Sequence, residues 1–226
     1  MLSLLTAKGV MMSKKIQLDV VSDVVCPWCI IGYKNLQKAI EELGVEKQIE
    51  LQWQPFELNP NMPAEGQNLR EHVAEKYGSS LEESNQARIN IAQRGAEVGF
   101  TFNFFEDMKI VNTRDAHILL EYAYEKGKQT ELKLALFSAA FTDQKDISNR
   151  EILLAEIAKI GLDSGEASAR LTTQGYVDQV VDHERYWQGL GISAVPTVVF
   201  NRQSALSGAQ PVEAYKQVIT ELLAEG

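Results

Sequence analysis

Apolar and polar residues alternate through Lys15-Ile16-Gln17-Leu18-Asp19-Val20-Val21, with β-branched side chains prominent, and this predicts a strand over 16–22. The period then changes. Ile30, Leu36, Ala39, Ile40 and Leu43 recur at helical spacing, so a helix is predicted over 27–43. Gly44 can close it, because glycine takes the left-handed conformation of a C′ residue without a Cβ clash. A second strand is expected over 49–54.

From about 60 to 175 the pattern is helical. Asn68 with Glu71, Ser80 with Glu83, Ser148 with Glu151 and Asp163 with Glu166 each place a capping acceptor before a glutamate at the spacing of a helix start. Ala87, Ile91, Gly95 and Val98 mark one face of a helix that Gly99 can end, and Ala116, Leu119, Leu120 and Ala123 mark a face of the next. A helix over 176–190 and a hairpin from about 195 to 207 follow. Pro211 opens a last helix, where its missing N–H is not needed. These elements make a core split by a helical excursion. The expected division is 14–58 plus 176–226 for the core, 59–175 for the insert and 1–13 as a disordered extension, with Met11 or Met12 as an alternative start. Neither repeats nor a low-complexity linker interrupt the chain, so the insert is expected to pack on the core and roof its site.

The only two cysteines stand in Cys26-Pro27-Trp28-Cys29. Two thiols at this spacing can close a disulfide ring or share a metal. A structural zinc site needs four ligands, and His72, His117 and His183 are not spaced to complete one, so the redox reading is preferred to the metal reading. The pair sits where strand hands over to helix, a position that a mere pair of core cysteines would not need. Free N–H groups and the positive end of the helix dipole would stabilise a thiolate at Cys26. Cys26 is therefore expected to be the exposed nucleophile, and Cys29, one turn on, the thiol that resolves a mixed disulfide. Pro27 and Trp28 set the geometry between them.

Far downstream, Ala194-Val195-Pro196-Thr197-Val198-Val199-Phe200 reads as a strand with proline near its start, where a missing ladder donor is tolerated. With the cysteine motif, this resembles the two-part signature of thioredoxin-like proteins, which implies a cis bond at Pro196 beside the cysteines. Ser22-Asp23-Val24-Val25-Cys26-Pro27-Trp28-Cys29 followed by Ile31-Gly32, Trp53-Gln54-Pro55-Phe56-Glu57-Leu58-Asn59-Pro60, Asn112-Thr113 with Ala116-His117, and Ser207-Gly208-Ala209-Gln210-Pro211 extend the likeness. Together they resemble DsbA-like oxidoreductases of the FrnE group. The resemblance implies an α/β thioredoxin-like fold with a large inserted α-helical subdomain, and thiol–disulfide oxidoreductase activity of a reductase or isomerase type on protein or small-molecule disulfides. Trp28 adds neither charge nor a proton donor beside the sulfur, so Cys26 is expected to be less acidified than in the strong oxidant DsbA.

Net charge is −9, which argues against nucleic acid and anionic membranes as partners. No apolar run approaches a membrane span, and Met1-Leu2-Ser3-Leu4-Leu5-Thr6-Ala7 is too short for a secretory signal and lacks a basic lead. A cytoplasmic location is expected. No tightly bound cofactor or metal is expected; glutathione or another low-molecular-weight thiol would serve as reductant. The expected partners are disulfide-containing proteins or small thiols, with a homodimer as the assembly.

Substrate contacts are expected from Pro27, Trp28, Val195, Pro196, Phe56 and His117. The Val195 backbone could pair with an extended substrate. Phe56, Phe100, Phe102, Phe104 and Phe105 are either an apolar wall or core. His117 is placed near the cleft by the resemblance; a helix histidine is otherwise packing or surface. Asp19, Asp23 and Glu57 are candidates for taking a proton from Cys29, with Asp23 read rather as a solvated loop acid. The rival function is a glutathione-dependent isomerase or transferase, similar to 2-hydroxychromene-2-carboxylate isomerases. Those typically carry serine at the position of Cys26 and an acidic residue where this chain has Pro211, and both departures favour the oxidoreductase.

Overall fold

The computed structural model describes residues 15–225, so the expectation for 1–13 lies outside the described residues. β1 (Ile16–Ser22) is one of the two inner strands of a four-stranded sheet. β2 (Ile49–Pro55) pairs parallel to it on one side, which the intervening α1 (Pro27–Leu43) makes possible, since a parallel pair needs a crossover. On the other side β5 (Thr197–Phe200) pairs antiparallel with β1, and β6 (Ser204–Ser207) folds back on β5. Gly44 closes α1 with φ of 66° and hands its N–H to the carbonyls of Glu41 and Ile40.

Between β2 and the late strands come α2 (Leu69–Tyr77), α3 (Leu81–Glu97), α4 (Arg114–Glu125), α5 (Gln129–Phe137), α6 (Arg150–Lys159), α7 (Ser164–Leu171) and α8 (Gln174–Gly189). A two-residue ladder of β3 (Gln67–Asn68) with β4 (Lys109–Ile110) ties the start of α2 to the loop before α4. The caps explain the boundaries. Ser80 and Glu83 make a complete capping box, and Asn68 and Asp163 accept from the amides of Arg70 and Glu166. The start expected at Ser148 lies one residue on: Asn149 accepts from the Glu151 amide, while Ser148 is held by Asp146. α8 likewise begins two residues before the expected 176, after an uncapped Thr173. α9 (Val212–Ala224) follows Pro211.

Strand alternation sorts the core. Leu18, Val20, Val198 and Phe200 join Leu36, Ala39, Tyr215 and Ile219 on one face, each buried Val, Leu, Ile or Phe side chain contributing roughly 1.5–3 kcal/mol. Val21 and Val199 face the other way, onto Phe56 and Trp187. Gly32 lets α1 approach the Pro196 loop: a Cβ there would stand 3.2 Å from both Pro196 Cγ and Ala209 Cα. No helix among the described residues is long and apolar enough to cross a membrane.

Candidate active site

β1 ends in a turn that delivers Cys26 to the N-cap of α1. The Cys26 amide donates to the Asp23 carbonyl at 3.3 Å, and the Cys29 amide donates to the Cys26 carbonyl at 3.1 Å, so the turn winds straight into the helix. Pro27 occupies the first helical turn. The two cysteines approach to 3.3 Å and are free thiols. Across from them, the Cys26 thiol points to the Val195 carbonyl at 3.8 Å, and the Val195–Pro196 peptide bond is cis.

The expected exposure of Cys26 is corrected: the residue is 5% exposed and Cys29 is 0%. The expected acidity is corrected as well. Hydrogen bonding to Cys29, together with burial, holds the Cys26 thiol well above its ordinary range. Burial pushes Cys29 up too, but the hydrogen bond from Cys26 and the nearby Lys133 ammonium outweigh it and bring that thiol below its ordinary value. Two sulfurs at this distance share one negative charge, and Lys133 draws it to the inner one.

Lys133 is fully buried, which sequence reading missed. α5 brings it there through Gln129, one turn earlier. The Gln129 side chain accepts from the Trp53 amide at 2.8 Å and donates to the Trp53 carbonyl at 2.9 Å, covering the outer edge of β2. Lys133 then lies over the rings of Trp53 and Phe137, at 5.2 and 5.3 Å, and donates to the Ser22 carbonyl at 3.3 Å. Desolvation lowers its pKa to about 8 although Cys29, Asp23 and Cys26 oppose this. The signal was a lysine four residues from both Gln129 and Phe137, on the buried side of an apolar helix.

Acids continue the network. Asp23, read from sequence as solvated, is fully buried. Its Oδ2 accepts from the Leu58 amide at 2.8 Å and its Oδ1 faces His117 Nε2 at 3.4 Å. Burial raises its pKa, but His117, that amide and Lys133 outweigh burial and leave it lowered. Glu57 is ion-paired with Arg114 at 2.7 Å, and its amide donates to Glu184 at 2.5 Å. Burial and the Glu57 charge raise Glu184 to about 7. Asp19 belongs elsewhere: it accepts from Gln54 at 2.7 Å and meets Arg202 at 3.4 Å, and Trp187 donates to the same Gln54.

Cys26 opens onto a cavity of about 550 Å³. Pro27, Trp28 and Val195 line it, as do Phe104 and Phe105. Trp28 is 37% exposed. Phe100 and Phe102 are core and pack against each other at 4.8 Å. Three expected substrate contacts lie outside the cavity lining. Phe56, just past the end of β2, is buried in the cluster of Val21, Val199 and Trp187, and His117 is buried against Asp23. Pro196, the residue after the lining Val195, packs on Gly32 instead. On the apolar face of α3, Ile91 and Val98 pack against the core, and Ala87 and Ile91 also line the cavity. α5 widens into a π-helical turn, Ser138–Thr142, whose Ala140 and Phe141 complete the wall. Among the described residues no group of three or more His, Cys, Asp or Glu side chains could hold a metal.

The family model of the DSBA-like thioredoxin domain matches residues 17–220. The chain belongs to this family. Among solved structures it is similar to the probable DsbA oxidoreductase SCO1869 of Streptomyces coelicolor, with 30% identity, a TM-score of 0.88 and coverage of 93% of this chain and 91% of that one. The cytosolic disulfide reductase DsbM of Pseudomonas aeruginosa shares the fold at 18% identity, with a TM-score of 0.66 and coverage of 93% and 100%, and has also been solved with GSH. The protein YwbO of Bacillus subtilis is 25% identical over 209 residues, 91% of this chain and 96% of that protein. In this DSBA-like chain Arg114 and Glu184, like Lys133, were not singled out by sequence; they come from helices distant in sequence from the cysteine turn, and only packing brings them near it.

Proposed function

We propose that the protein is a thiol–disulfide oxidoreductase working in the reducing direction through Cys26 and Cys29. The observation that carries this reading is the asymmetric pair: two free thiols 3.3 Å apart, one on the floor of a cavity and the other sealed behind it. Cys26 attacks one sulfur of a substrate disulfide RSSR′, and its proton passes to the Cys29 thiolate as R′S⁻ leaves. That proton then goes to the departing thiolate, and Cys29, its anion stabilised by Lys133, attacks the Cys26 sulfur. The Cys26–Cys29 disulfide closes and RS⁻ is released. The substrate gains two electrons and the protein loses two; a low-molecular-weight thiol such as glutathione returns them.

Two considerations support the reducing direction. The reductase DsbM, solved with GSH, has the same fold. A cytoplasmic setting, where glutathione is abundant, suits this direction. Serine at 26 would leave a glutathione-dependent isomerase intact in principle and abolish a disulfide reductase, so the cysteine pair favours the latter.

The test is trapping. A Cys29→Ser variant incubated with a disulfide should accumulate a mixed disulfide on Cys26, and Cys26→Ser should not accumulate one on Cys29. A Cys26→Ser variant with full reductase activity would sink the reading.

A further inference from the structure

The cavity above Cys26 has a chemical character of its own. Its walls are apolar: Val73 of α2, Ile91 of α3, Phe104, Phe105, Met108 and Phe141. A volume of about 550 Å³ is the size of a pocket for a small molecule, not of a groove for a folded protein. The buried position of Cys26 points the same way, since a reacting sulfur has to enter the cavity to meet it. An entirely apolar ligand would leave the charged lining unexplained. Lys76, Arg88, Lys109 and Lys145 line the cavity against Asp107 and Asp146, an excess of positive charge in a chain whose net charge is −9.

Arg88 stands out among these cations. Lys145 is ion-paired with Asp143 and Glu156, Lys76 donates to Asn59 and the Leu58 carbonyl, and Lys109 donates to the Glu65 carbonyl. Arg88 has no carboxylate partner among the described residues. Its Nε is buried without a hydrogen-bond partner, and its Nη2 reaches only Ser84 Oγ, at 3.4 Å. Guanidinium is built for two-pronged recognition of a carboxylate, and a half-buried one left without an anion forgoes its strongest interaction. Arg88 lies on α3 one turn before Ile91, so the free cation and the apolar wall belong to the same helix.

The geometry points to an amphipathic, carboxylate-bearing small-molecule disulfide as the substrate class, its apolar body held between α3 and the phenylalanine wall, its carboxylate on Arg88 and its sulfur at Cys26. This rests on the oxidoreductase reading and narrows it: large protein disulfides and cationic disulfides are poor substrates. The chemistry is the same thiol–disulfide exchange, with the carboxylate taking no part in the electron transfer.

Two measurements test it. The first compares the rate of Cys26 attack on dithiobis-nitrobenzoate, an aryl disulfide with a carboxylate on each ring, and on the uncharged dithiodipyridine. Arg88→Gln should lower the ratio of the two rates about tenfold, the worth of a charged hydrogen bond, and Arg88→Lys should recover part of it. The second needs no redox chemistry. In the Cys26→Ser/Cys29→Ser protein, titration by tryptophan fluorescence should show naphthoate binding about tenfold more tightly than naphthalenemethanol, a preference lost on adding Arg88→Gln. Reduction of both disulfides with a ratio unmoved by Arg88→Gln, or equal binding of acid and alcohol, would overturn the substrate class and leave the oxidoreductase standing. Failure to reduce either disulfide, with the naphthoate preference intact, would sink the oxidoreductase and keep the anion site.

Discussion

His117 Nε2 lies 3.4 Å from Asp23 Oδ1, and both side chains are sealed from solvent beside the turn that carries the cysteines. At this separation neither atom completes a well-formed hydrogen bond, and neither has another partner. The Asp23 charge is held on one side by the Leu58 amide and acts through space on the sulfurs, pushing the Cys26 thiol further up. Asp23→Asn keeps an acceptor for the Leu58 amide and removes the charge. Cys26 should then ionise at lower pH than in the parent. Ultraviolet thiolate absorbance against pH, read in a Cys29→Ser background, measures this; an unchanged or raised Cys26 pKa would show that Asp23 does not reach the site electrostatically.

Lys133 supplies a stability signature. In the Cys26→Ser/Cys29→Ser protein, the thiolates that oppose its lowering are gone, so its pKa stays at or below about 8. Its unfolded value is near 10.5. Between these values the unfolded chain binds more protons than the folded one, so stability should rise with pH from about 8 to about 10.5, by about 3 kcal/mol. Adding Lys133→Met should abolish that rise. Urea unfolding across this range decides it, and parallel curves for the two proteins would refute the assignment.

Glu184 carries the opposite sign. Its folded pKa of about 7 stands above the ordinary 4.5 because of burial and the neighbouring Glu57 charge. The folded state therefore holds more protons between those values, and stability should fall as pH rises through them. Glu184→Gln keeps an acceptor for the Glu57 amide and loses the titration. The variant should be more stable than the parent by about 2–3 kcal/mol near pH 8, solvent screening taking a little off the full linkage, and should lose that advantage near pH 4.5. Melting temperatures at the two pH values check this.

Gly32 tests the packing that frames the site. Its absent Cβ would stand 3.2 Å from Pro196 and from the Ala209 backbone, so Gly32→Val must separate α1 from the Pro196 loop. A loss of about 1–3 kcal/mol is expected from overpacking, with slower disulfide exchange as Val195 moves off Cys26. A valine variant with parent stability and rate would mean that this contact does not set the geometry.

The frame was legible because local signals wrote it. The alternation in 16–22, the period of α1, Gly44 as its stop and the Ser80–Glu83 box all act through neighbours within a few residues, and each element formed where its signal lay. Signals that were locally ambiguous gave the small errors: Ser148 and Asn149 are both good caps, and the choice between them fell to Asp146, which holds Ser148. Phe56 was misplaced for a related reason. An aromatic after a strand reads the same on either face, and only the sheet's packing sends it to Trp187 while Phe104 and Phe105 go to the cavity.

By itself the sequence determined that two thiols stand at the start of a helix, at ring-closing spacing, in a strand–helix–strand unit completed by a late hairpin and helix. Those facts depend on covalent order and local period. Tertiary structure alone decided how the thiols behave. Lys133, Asp23, His117 and Glu184 come from four separate segments, and their charges matter only because burial removes the water that would screen them. The same holds for the cavity: α3 reads as an ordinary amphipathic helix, and only its placement over Cys26 turns the face of Ile91 into a wall and leaves Arg88 without an anion among the described residues.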